Sequence, residues 1–399
     1  MNKQDPETYK VYLKRLFVLI PLLLLMIIQS CANDPNDLGL NYISSNDTIG
    51  VRYLDSQSDT ISITSTNYRN YINNYLADLL LTGKYQNYDS KALLKFYNLP
   101  TDKDSAKIIS AVLTLRYGNY YFREKTGLTD FNVYSVLSNL NYTTITYDSV
   151  SSSDFGTTAL GNYNGVVADS SSISLTLNNN LVKDWFEVAA DTSYPVKNNG
   201  IALIPNMSSS VIKGFYLINN DPDLIPTVRV VLSKNNVTDT VIVNASVGLS
   251  LSNAPSSIIP ADRFLLQNGI AYRNILKFDL TKLPPNVIIN NASLQFTLDK
   301  SSSFISDNTD KRIVIGMVTD SVSRKDSIYN NASLLDTVTY LVNLNSVFQR
   351  WNSNIMPNLG LTFKNIYELQ NLDNFAIYSP SAADISKRPR LKITYTLRN

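Results

Sequence analysis

Short segments in which apolar and polar residues alternate recur along the chain from residue 47 onward. A period of two turns one row of side chains inward and the other outward, as a sheet with one solvated face requires. Asn, Asp, Ser, Gly or Pro residues separate these segments, which favours antiparallel sheets over parallel α/β units. Examples are residues 60–64 (TISIT), 111–116 (AVLTLR), 173–177 (ISLTL) and 227–232 (TVRVVL).

Two segments instead show the spacing of a short amphipathic helix. Apolar side chains stand at positions 181, 182, 185 and 186 of the first, and at 347, 348 and 351 of the second. We predict a helix at residues 180–186 and another at 345–351, each opened by an Asn or Ser cap. Each contains one tryptophan. We assign Trp185 and Trp351 to the hydrophobic core, with a sugar-stacking ring as the alternative.

Five motifs occur twice in the same order, which predicts an internal duplication. The offset between matching motifs starts at 182 residues and is 160–166 from the helices onward, as one loop deletion in the second copy would produce. We therefore predict two units, 47–235 and 236–399, each the size of a β-sandwich domain. The paired motifs are residues 94–96 and 276–278, 110–113 and 291–294, the helices with Trp185 and Trp351, 199–203 and 359–363, and 226–230 and 389–393.

The motifs of the second copy resemble the DNRLRE family, a β-sandwich module of cell-surface and secreted bacterial proteins. They are residues 275–280 (ILKFDL), Leu283-Pro284, 289–294 (INNASL), a Trp-containing helix, 358–361 (NLGL) and 388–395 (RPRLKITY). The first copy departs from this pattern, because Tyr97 stands where the second copy has Asp279, and Ile225-Pro226 replaces Arg388-Pro389. Residues 36–91 also look like the start of a family of surface lipoproteins of unknown function. The resemblance implies an all-β fold of two tandem antiparallel, jelly-roll-like sandwiches, each with one short helix. Some members of the family are implicated in polysaccharide binding.

A hydrophobic segment, residues 16–28, follows the basic residues Lys10, Lys14 and Arg15 and ends just before Cys31. Thirteen residues suit a cleavable signal better than a spanning helix, which needs about 20. The sequence Ile28-Gln29-Ser30-Cys31 resembles a bacterial lipobox, which implies a lipoprotein signal peptide at residues 1–30 and lipidation of Cys31. Residues 31–46 are predicted to be a tether. An uncleaved signal anchor, or a buried helix with a free thiol, is the alternative.

Composition excludes several kinds of chemistry. The chain has no histidine and Cys31 is its only cysteine, so a Ser-His-Asp triad and typical zinc, copper or haem sites are not expected, and we predict no cofactor. Removal of residues 1–30 takes away four basic and two acidic residues and leaves 31 of each. A neutral chain without a Lys/Arg block gives no reason to expect nucleic acid as a partner.

Tyrosine is abundant, with 25 residues, and two clusters of aromatic residues are candidate ligand-binding surfaces. Tyrosine rings among asparagine side chains combine stacking area with adaptable hydrogen bonding. Half-buried strand tyrosines are the structural alternative. The first cluster is Tyr117, Tyr120, Tyr121 and Phe122; the second is Tyr68, Tyr71 and Tyr75.

Three further polar features have less specific patterns. Asp221 and Asp223, next to Asn219 and Asn220, form a candidate calcium site, although the sequence matches no EF-hand loop and is equally a turn. Arg388 and Asp279 are expected to form a salt bridge inside the second unit. A carboxylate-only hydrolase or lyase would use a pair drawn from Asp130, Asp148, Asp184 and Glu187, but no spacing specifies one.

These features together favour a lipid-anchored, non-catalytic binding protein of the cell envelope. We expect an outer-membrane location, periplasmic or surface-exposed, with the membrane contacted through the N-terminal lipid. The expected partner is a polysaccharide or a surface protein. The main alternative is a structural component of an envelope or secretion assembly, and a carboxylate-only glycan hydrolase or lyase is the second.

Overall fold

The computed structural model describes residues 50–59, 61–218, 220–254, 260–307 and 309–398. Two α-helices lie in this part of the chain, α1 (Asn179–Ala190) and α2 (Asn345–Asn352). Short 3-10 turns occur at Thr101–Lys103, Tyr147–Ser149, Ser152–Asp154 and Ile385–Lys387. The strands are β1 (Val51–Asp55), β2 (Ile63–Arg69), β3 (Leu79–Tyr85), β4 (Tyr88–Lys95), β5 (Lys107–Phe122), β6 (Leu128–Ser135), β7 (Gly161–Val166), β8 (Ser172–Thr176), β9 (Ile201–Pro205), β10 (Ile212–Tyr216), β11 (Thr227–Lys234), β12 (Val237–Asn244), β13 (Val247–Asn253), β14 (Arg263–Gln267), β15 (Tyr272–Phe278), β16 (Ile288–Thr297), β17 (Ile313–Val318), β18 (Asp326–Leu334), β19 (Thr339–Asn343), β20 (Leu361–Asn365), β21 (Asn374–Tyr378) and β22 (Arg390–Thr396).

The strands form two curled antiparallel sheets of eleven strands each, which confirms the predicted all-β, antiparallel class. The first sheet has the order β12-β11-β5-β10-β3-β4-β9-β6-β7, with β13 on β4 and β8 on β5. The second sheet has the order β1-β22-β16-β19-β18-β17-β20-β15-β14-β21, with β2 on β15. The predicted alternation is visible in β11, where Val228, Val230 and Leu232 are buried while Arg229 is exposed.

The duplicated motifs lie on strands with equivalent partners in the two sheets. The strand with residues 94–96 pairs with the strand of residues 201–203, and the strand with residues 276–278 pairs likewise with that of residues 361–363. Corresponding pairs recur throughout, as β5–β11 and β16–β22, β6–β9 and β17–β20, and β6–β7 and β17–β18. The sequence matches therefore correspond to matching positions in two sheets of similar topology.

The first two strands of each copy are exchanged between the sheets. Strands β1 and β2 belong to the predicted first unit but pair with β22 and β15 of the second sheet. Strands β12 and β13 belong to the predicted second unit but pair with β11 and β4 of the first sheet. Strand pairing thus does not follow the predicted bounds 47–235 and 236–399. Periodicity identifies a strand, whereas its partner depends on contacts between distant segments.

Each sheet curls around its own hydrophobic cluster, and each cluster contains one tryptophan. Trp185 is 3% exposed and stacks on Phe96, with ring centroids 5.3 Å apart. Trp351 is 5% exposed and packs edge-on against Phe348 in the second cluster. These positions confirm the core assignment of both tryptophans.

The helix caps differ in part from the prediction. The side chain of Asn178 accepts hydrogen bonds from the backbone N–H groups of Asn180 and Leu181, so α1 begins one residue earlier than predicted and has a typical cap. No side chain caps α2, whose N-cap position is Leu344. The side chain of Asn345 instead accepts a hydrogen bond from the Ala292 N–H on the neighbouring strand, at 2.5 Å.

The length difference between the copies is spread over more than one loop. Val133 and Ile315 are equivalent, because they pair with the equivalent residues Leu203 and Phe363. From Val133 to its partner on the next strand, Gly161, 27 residues intervene, whereas 14 lie between Ile315 and Asn330. This loop thus accounts for thirteen of the 22 residues by which the offset falls from 182 to 160. A single deletion does not explain the whole difference.

Candidate functional site

The first tyrosine cluster is mostly buried. Tyr117 is 1%, Tyr120 6% and Phe122 0% exposed, and only Tyr121 is half-buried. The register of β5 against β10 shifts between Tyr117 and Tyr120, and Asn119 there has a φ of +57°. This bulge lets Tyr117, Tyr120 and Phe122 all face the interior. Of the four predicted binding residues, Tyr121 alone presents ring surface to solvent.

Tyr120 joins the two sheets. Its hydroxyl donates a hydrogen bond to the Asp373 carboxylate at 3.1 Å and accepts one from the Leu372 N–H at 2.9 Å. Asp373 is fully buried and also accepts hydrogen bonds from Ser306 and Thr309. Burial raises the pKa of both Tyr120 and Asp373. Tyr120 is thus a structural contact, which the sequence pattern did not distinguish from an exposed ring.

A cleft of about 390 Å³ opens beside this contact, between β5 of the first sheet and loops of the second. The rings of Tyr121 and Phe304 meet in it with centroids 6.3 Å apart and planes inclined by 55°. Tyr367 adds an exposed ring, and Asn119 and Gln370 add amide groups. No lysine or arginine is among the residues lining this cleft. The charged residues of the lining are Asp78 and Asp307. Aromatic faces beside amides and carboxylates, which accept hydrogen bonds from hydroxyl groups, suit an uncharged sugar ring.

Lys213 lies beneath the aromatic wall of the cleft. It is fully buried on β10, and its ammonium donates to the carbonyl of Lys125 at 2.6 Å and to the Tyr117 hydroxyl at 3.3 Å. The ammonium also lies 5.7 Å from the ring centroid of Tyr121. Burial lowers the pKa of Lys213 and raises that of Tyr117 to about 12. The Lys213 ammonium therefore makes a cation–π contact with Tyr121, while its hydrogen bonds go to Lys125 and Tyr117.

The second tyrosine cluster does not form one surface of three rings. Tyr68 is 6% exposed and packs with Ile275 and Val318. Tyr71 is 45% exposed, and the guanidinium of Arg69 lies 4.3 Å from its ring centroid. Tyr75 is half-buried and lines a separate pocket on the first sheet. The buried ring of Tyr68 is therefore no longer a candidate contact.

The candidate calcium residues occupy an exposed turn. The Asp221 carboxylate accepts a hydrogen bond from the Asp223 N–H at 3.0 Å, as in an ordinary Asx turn. Within the described residues there is no group of three or more His, Cys, Asp or Glu side chains that could hold a metal ion. The turn therefore offers no calcium ligand beyond those that the sequence already indicated.

The carboxylates named for a hydrolase have structural partners. Asp130 is 6% exposed and accepts hydrogen bonds from Asn206, at 2.6 Å, and from the Ser208 hydroxyl. Glu187 accepts from the Ser105 N–H at 2.8 Å. Tyr194 donates its hydroxyl to Asp184 at 3.1 Å. These hydrogen bonds give each of the three carboxylates a role in stabilising local structure.

The predicted salt bridge between Arg388 and Asp279 is not formed. Arg388 donates to the carbonyl of Ala382 at 2.6 Å, and Asp279 accepts from the Thr281 N–H at 3.1 Å. The ion pair in this region joins Arg390 to Asp55, which lies on the exchanged strand β1. Sequence reasoning missed this pair, since Asp55 is 335 residues away along the chain.

Comparison with protein-family models, with curated proteins and with solved structures found no match for this chain. The DNRLRE resemblance therefore stays a prediction based on the motifs quoted above. Cys31 and the segment 16–28 lie outside the described residues. Among the helices that the structure describes, none has the length and apolar character to cross a membrane.

Proposed function

We propose that this protein is a lipid-anchored, non-catalytic binding protein of the cell envelope whose cleft takes a polysaccharide. The observation that carries the proposal is the pair of aromatic rings, Tyr121 and Phe304, at the wall of a cleft with amide side chains and no basic residue. Tyr121 belongs to β5 of the first sheet and Phe304 to a loop of the second copy, so a sugar bound between them would contact both rings. The predicted lipid at Cys31 would keep this cleft close to the envelope.

The first test is the binding of neutral polysaccharides to the full chain on a glycan array, followed by titration of the best ligand. Tyr121→Ala should weaken binding by about tenfold, because loss of one stacking ring costs on the order of 1.5 kcal/mol. Tyr329→Ala is the matched control, since Tyr329 is 55% exposed on the second sheet and lies outside the cleft. Its affinity should equal that of the wild type.

Two results would contradict the cleft as the binding site: no neutral glycan bound by the wild type, or equal binding by Tyr121→Ala. Tyr120→Ala is unsuitable as a test of ligand contact. Its hydroxyl bonds to Asp373 and Leu372, so its removal would leave a buried carboxylate with one donor fewer.

A scaffolding role in an envelope assembly is the second candidate. The observation that favours it is strand β12, which ends the first sheet and exposes Val237 and Ile242, each 66% exposed. An edge strand with outward apolar side chains can pair with a strand of another protein. Cross-linking in intact cells would support this role if one protein were recovered in stoichiometric amount through β12.

A further inference from the structure

Lys95 has a nearly buried side chain without a charge partner. It ends strand β4 and is 8% exposed. Its ammonium lies 4.8 Å from the ring centroid of Tyr97, and within the described residues it has neither a hydrogen-bond acceptor nor a carboxylate partner. The aliphatic part of Lys95 is packed away from water, whereas its unpaired ammonium opens onto a pocket, where an anionic ligand would pair with it.

The pocket around Lys95 has a volume of about 440 Å³ and lies on the first sheet. Tyr75 and Tyr97 supply rings, and Asn141 and Thr143 supply polar side chains. No aspartate or glutamate is among its lining residues, so Lys95 gives the pocket a net positive charge. Rings, hydroxyl and amide groups around one cation suit a sugar that carries a negative charge.

Hydrogen bonds among four chain segments hold the walls of this pocket. Asn73 donates to the carbonyls of Tyr142 and Ile145, at 2.9 and 2.6 Å, and accepts from the Tyr75 N–H at 3.0 Å. The Tyr97 N–H donates to the Ser246 hydroxyl at 2.9 Å. Ser246 immediately precedes the exchanged strand β13. The pocket is therefore a built site that depends on the strand exchange.

The second sheet has no equivalent pocket lining. The repeat equivalent of Lys95 is Lys277, which is exposed, and Asp279 stands in the place of Tyr97. The loop that provides Asn141 and Thr143 is the one that is thirteen residues shorter in the second copy. Lys95, Tyr97 and the loop that supplies Asn141 and Thr143 thus occur together in the first copy.

We propose that the Lys95 pocket binds a carboxylate-bearing sugar residue, a uronate, of an acidic polysaccharide. The carboxylate pairs with the Lys95 ammonium, the ring of the sugar packs on Tyr97 or Tyr75, and its hydroxyls bond to Asn141 and Thr143. This site is distinct from the cleft at Tyr121, and it adds a charged sugar to the neutral one proposed there. Binding should weaken as salt concentration rises.

The test is calorimetric titration of the full chain with tetragalacturonate, with neutral galactotetraose and with sodium acetate as comparison ligands. The wild type should bind tetragalacturonate at least tenfold more tightly than either comparison ligand. Lys95→Gln should lose at least tenfold in this affinity, and Tyr97→Ala, whose ring is 55% exposed, should also weaken it. Lys277→Gln, the repeat equivalent, should bind like the wild type.

Several results would overturn the proposal. They are no binding of tetragalacturonate by the wild type, equal binding by Lys95→Gln, or, in Tyr121→Ala, an equal affinity for galactotetraose and tetragalacturonate. Acetate that binds as tightly would show a simple anion site and would overturn the sugar assignment. Tyr121→Ala should leave the affinity for tetragalacturonate unchanged, so failure of the cleft and failure of this pocket are distinguishable. A thermal unfolding curve for Lys95→Gln separates loss of binding from loss of fold.

Discussion

An ion pair fastens the first described strand of the chain to the last. Asp55 on β1 is 2% exposed. Both oxygens of its carboxylate accept hydrogen bonds from the guanidinium of Arg390 on β22. Hydrogen bonds from Arg390 and from the Gln57 N–H lower the pKa of Asp55 from 3.8 to about 2. The folded state therefore favours the ionised form of this carboxylate.

Replacement of Asp55 by Asn should lower the free energy of unfolding at pH 7 by about 2 kcal/mol. This is the free energy that corresponds to the lowering of the Asp55 pKa on folding. The sign follows from linkage: a lowered folded pKa stabilises the protein above the unfolded pKa. That contribution is lost as the pH falls through the folded pKa. The difference between wild type and variant should thus be constant above pH 5 and shrink between about pH 4 and 2. Denaturant unfolding of both proteins across this pH range measures the difference in their free energies of unfolding.

Asp239→Asn is the control for this experiment. Asp239 lies on β12, the repeat equivalent of β1, and its ion pair with Lys103 is largely exposed. Exposed pairs contribute little, so the control should differ little from the wild type at any pH. A loss as large as that of Asp55→Asn would contradict the assigned role of the Asp55–Arg390 pair.

At the scale of elements, the exchanged strands connect the two sheets more closely than a linker would. Each sheet contains two strands from the other copy, and Arg69 joins the ends of both exchanged segments. Its guanidinium donates to the Asn253 side chain at 2.7 Å and to the carbonyls of Ser252 and Ile270 at 3.1 Å. If either sheet unfolded, the other would lose two strands and the backbone hydrogen bonds that those strands make.

We therefore expect the two sheets to unfold in a single cooperative transition. The two tryptophans report on this separately, because Trp185 lies in one core cluster and Trp351 in the other. In Trp185→Phe and in Trp351→Phe, the urea midpoint from the remaining tryptophan's fluorescence should coincide with the midpoint from far-UV circular dichroism.

The two single-tryptophan variants control for each other, since each replaces one core indole by a smaller ring and reports on the opposite sheet. Two separated midpoints within one variant would contradict the cooperative coupling. They would show that one sheet survives the loss of strands that the other sheet contributes.

On the scale of the whole molecule, the two proposed sites lie in different surroundings. The cleft at Tyr121 lies between the sheets and has no basic lining residue, whereas the pocket at Lys95 lies on the first sheet and has a cation. A polymer with both neutral and acidic sugars could contact both. Under the two proposals, the protein would capture an extended polysaccharide chain rather than a small molecule.

The predicted lipid anchor can be tested by metabolic labelling of cells. Cells that express the full chain and are fed radiolabelled palmitate should yield labelled protein, whereas Cys31→Ser should abolish the label because the thiol is the acceptor. Ser30→Ala is the control, since a small residue before the cysteine is retained and labelling should persist. An unlabelled wild type, or a labelled Cys31→Ser variant, would contradict the anchor.

Local sequence patterns were enough to predict the all-β class, several of the strands, the two helices and the burial of both tryptophans. Alternation with a period of two depends on which face of a strand is wet, and a helical spacing depends on one apolar stripe, so both are local properties. The repeated motifs also located equivalent strands in the two copies. These features were predictable because neighbouring residues carry the signal.

Which strands pair and which tyrosines are exposed depends on contacts between distant segments, which the sequence patterns do not show. Backbone donors and acceptors are alike on every strand, so the motifs could not show that β1 and β2 pair with the second sheet. Tyr120 and Tyr121 are adjacent, chemically identical and on opposite faces of β5, and the bulge at Asn119 decides which of the two faces the interior. The unpaired charge of Lys95 likewise depends on segments distant in sequence, which only the folded chain brings together.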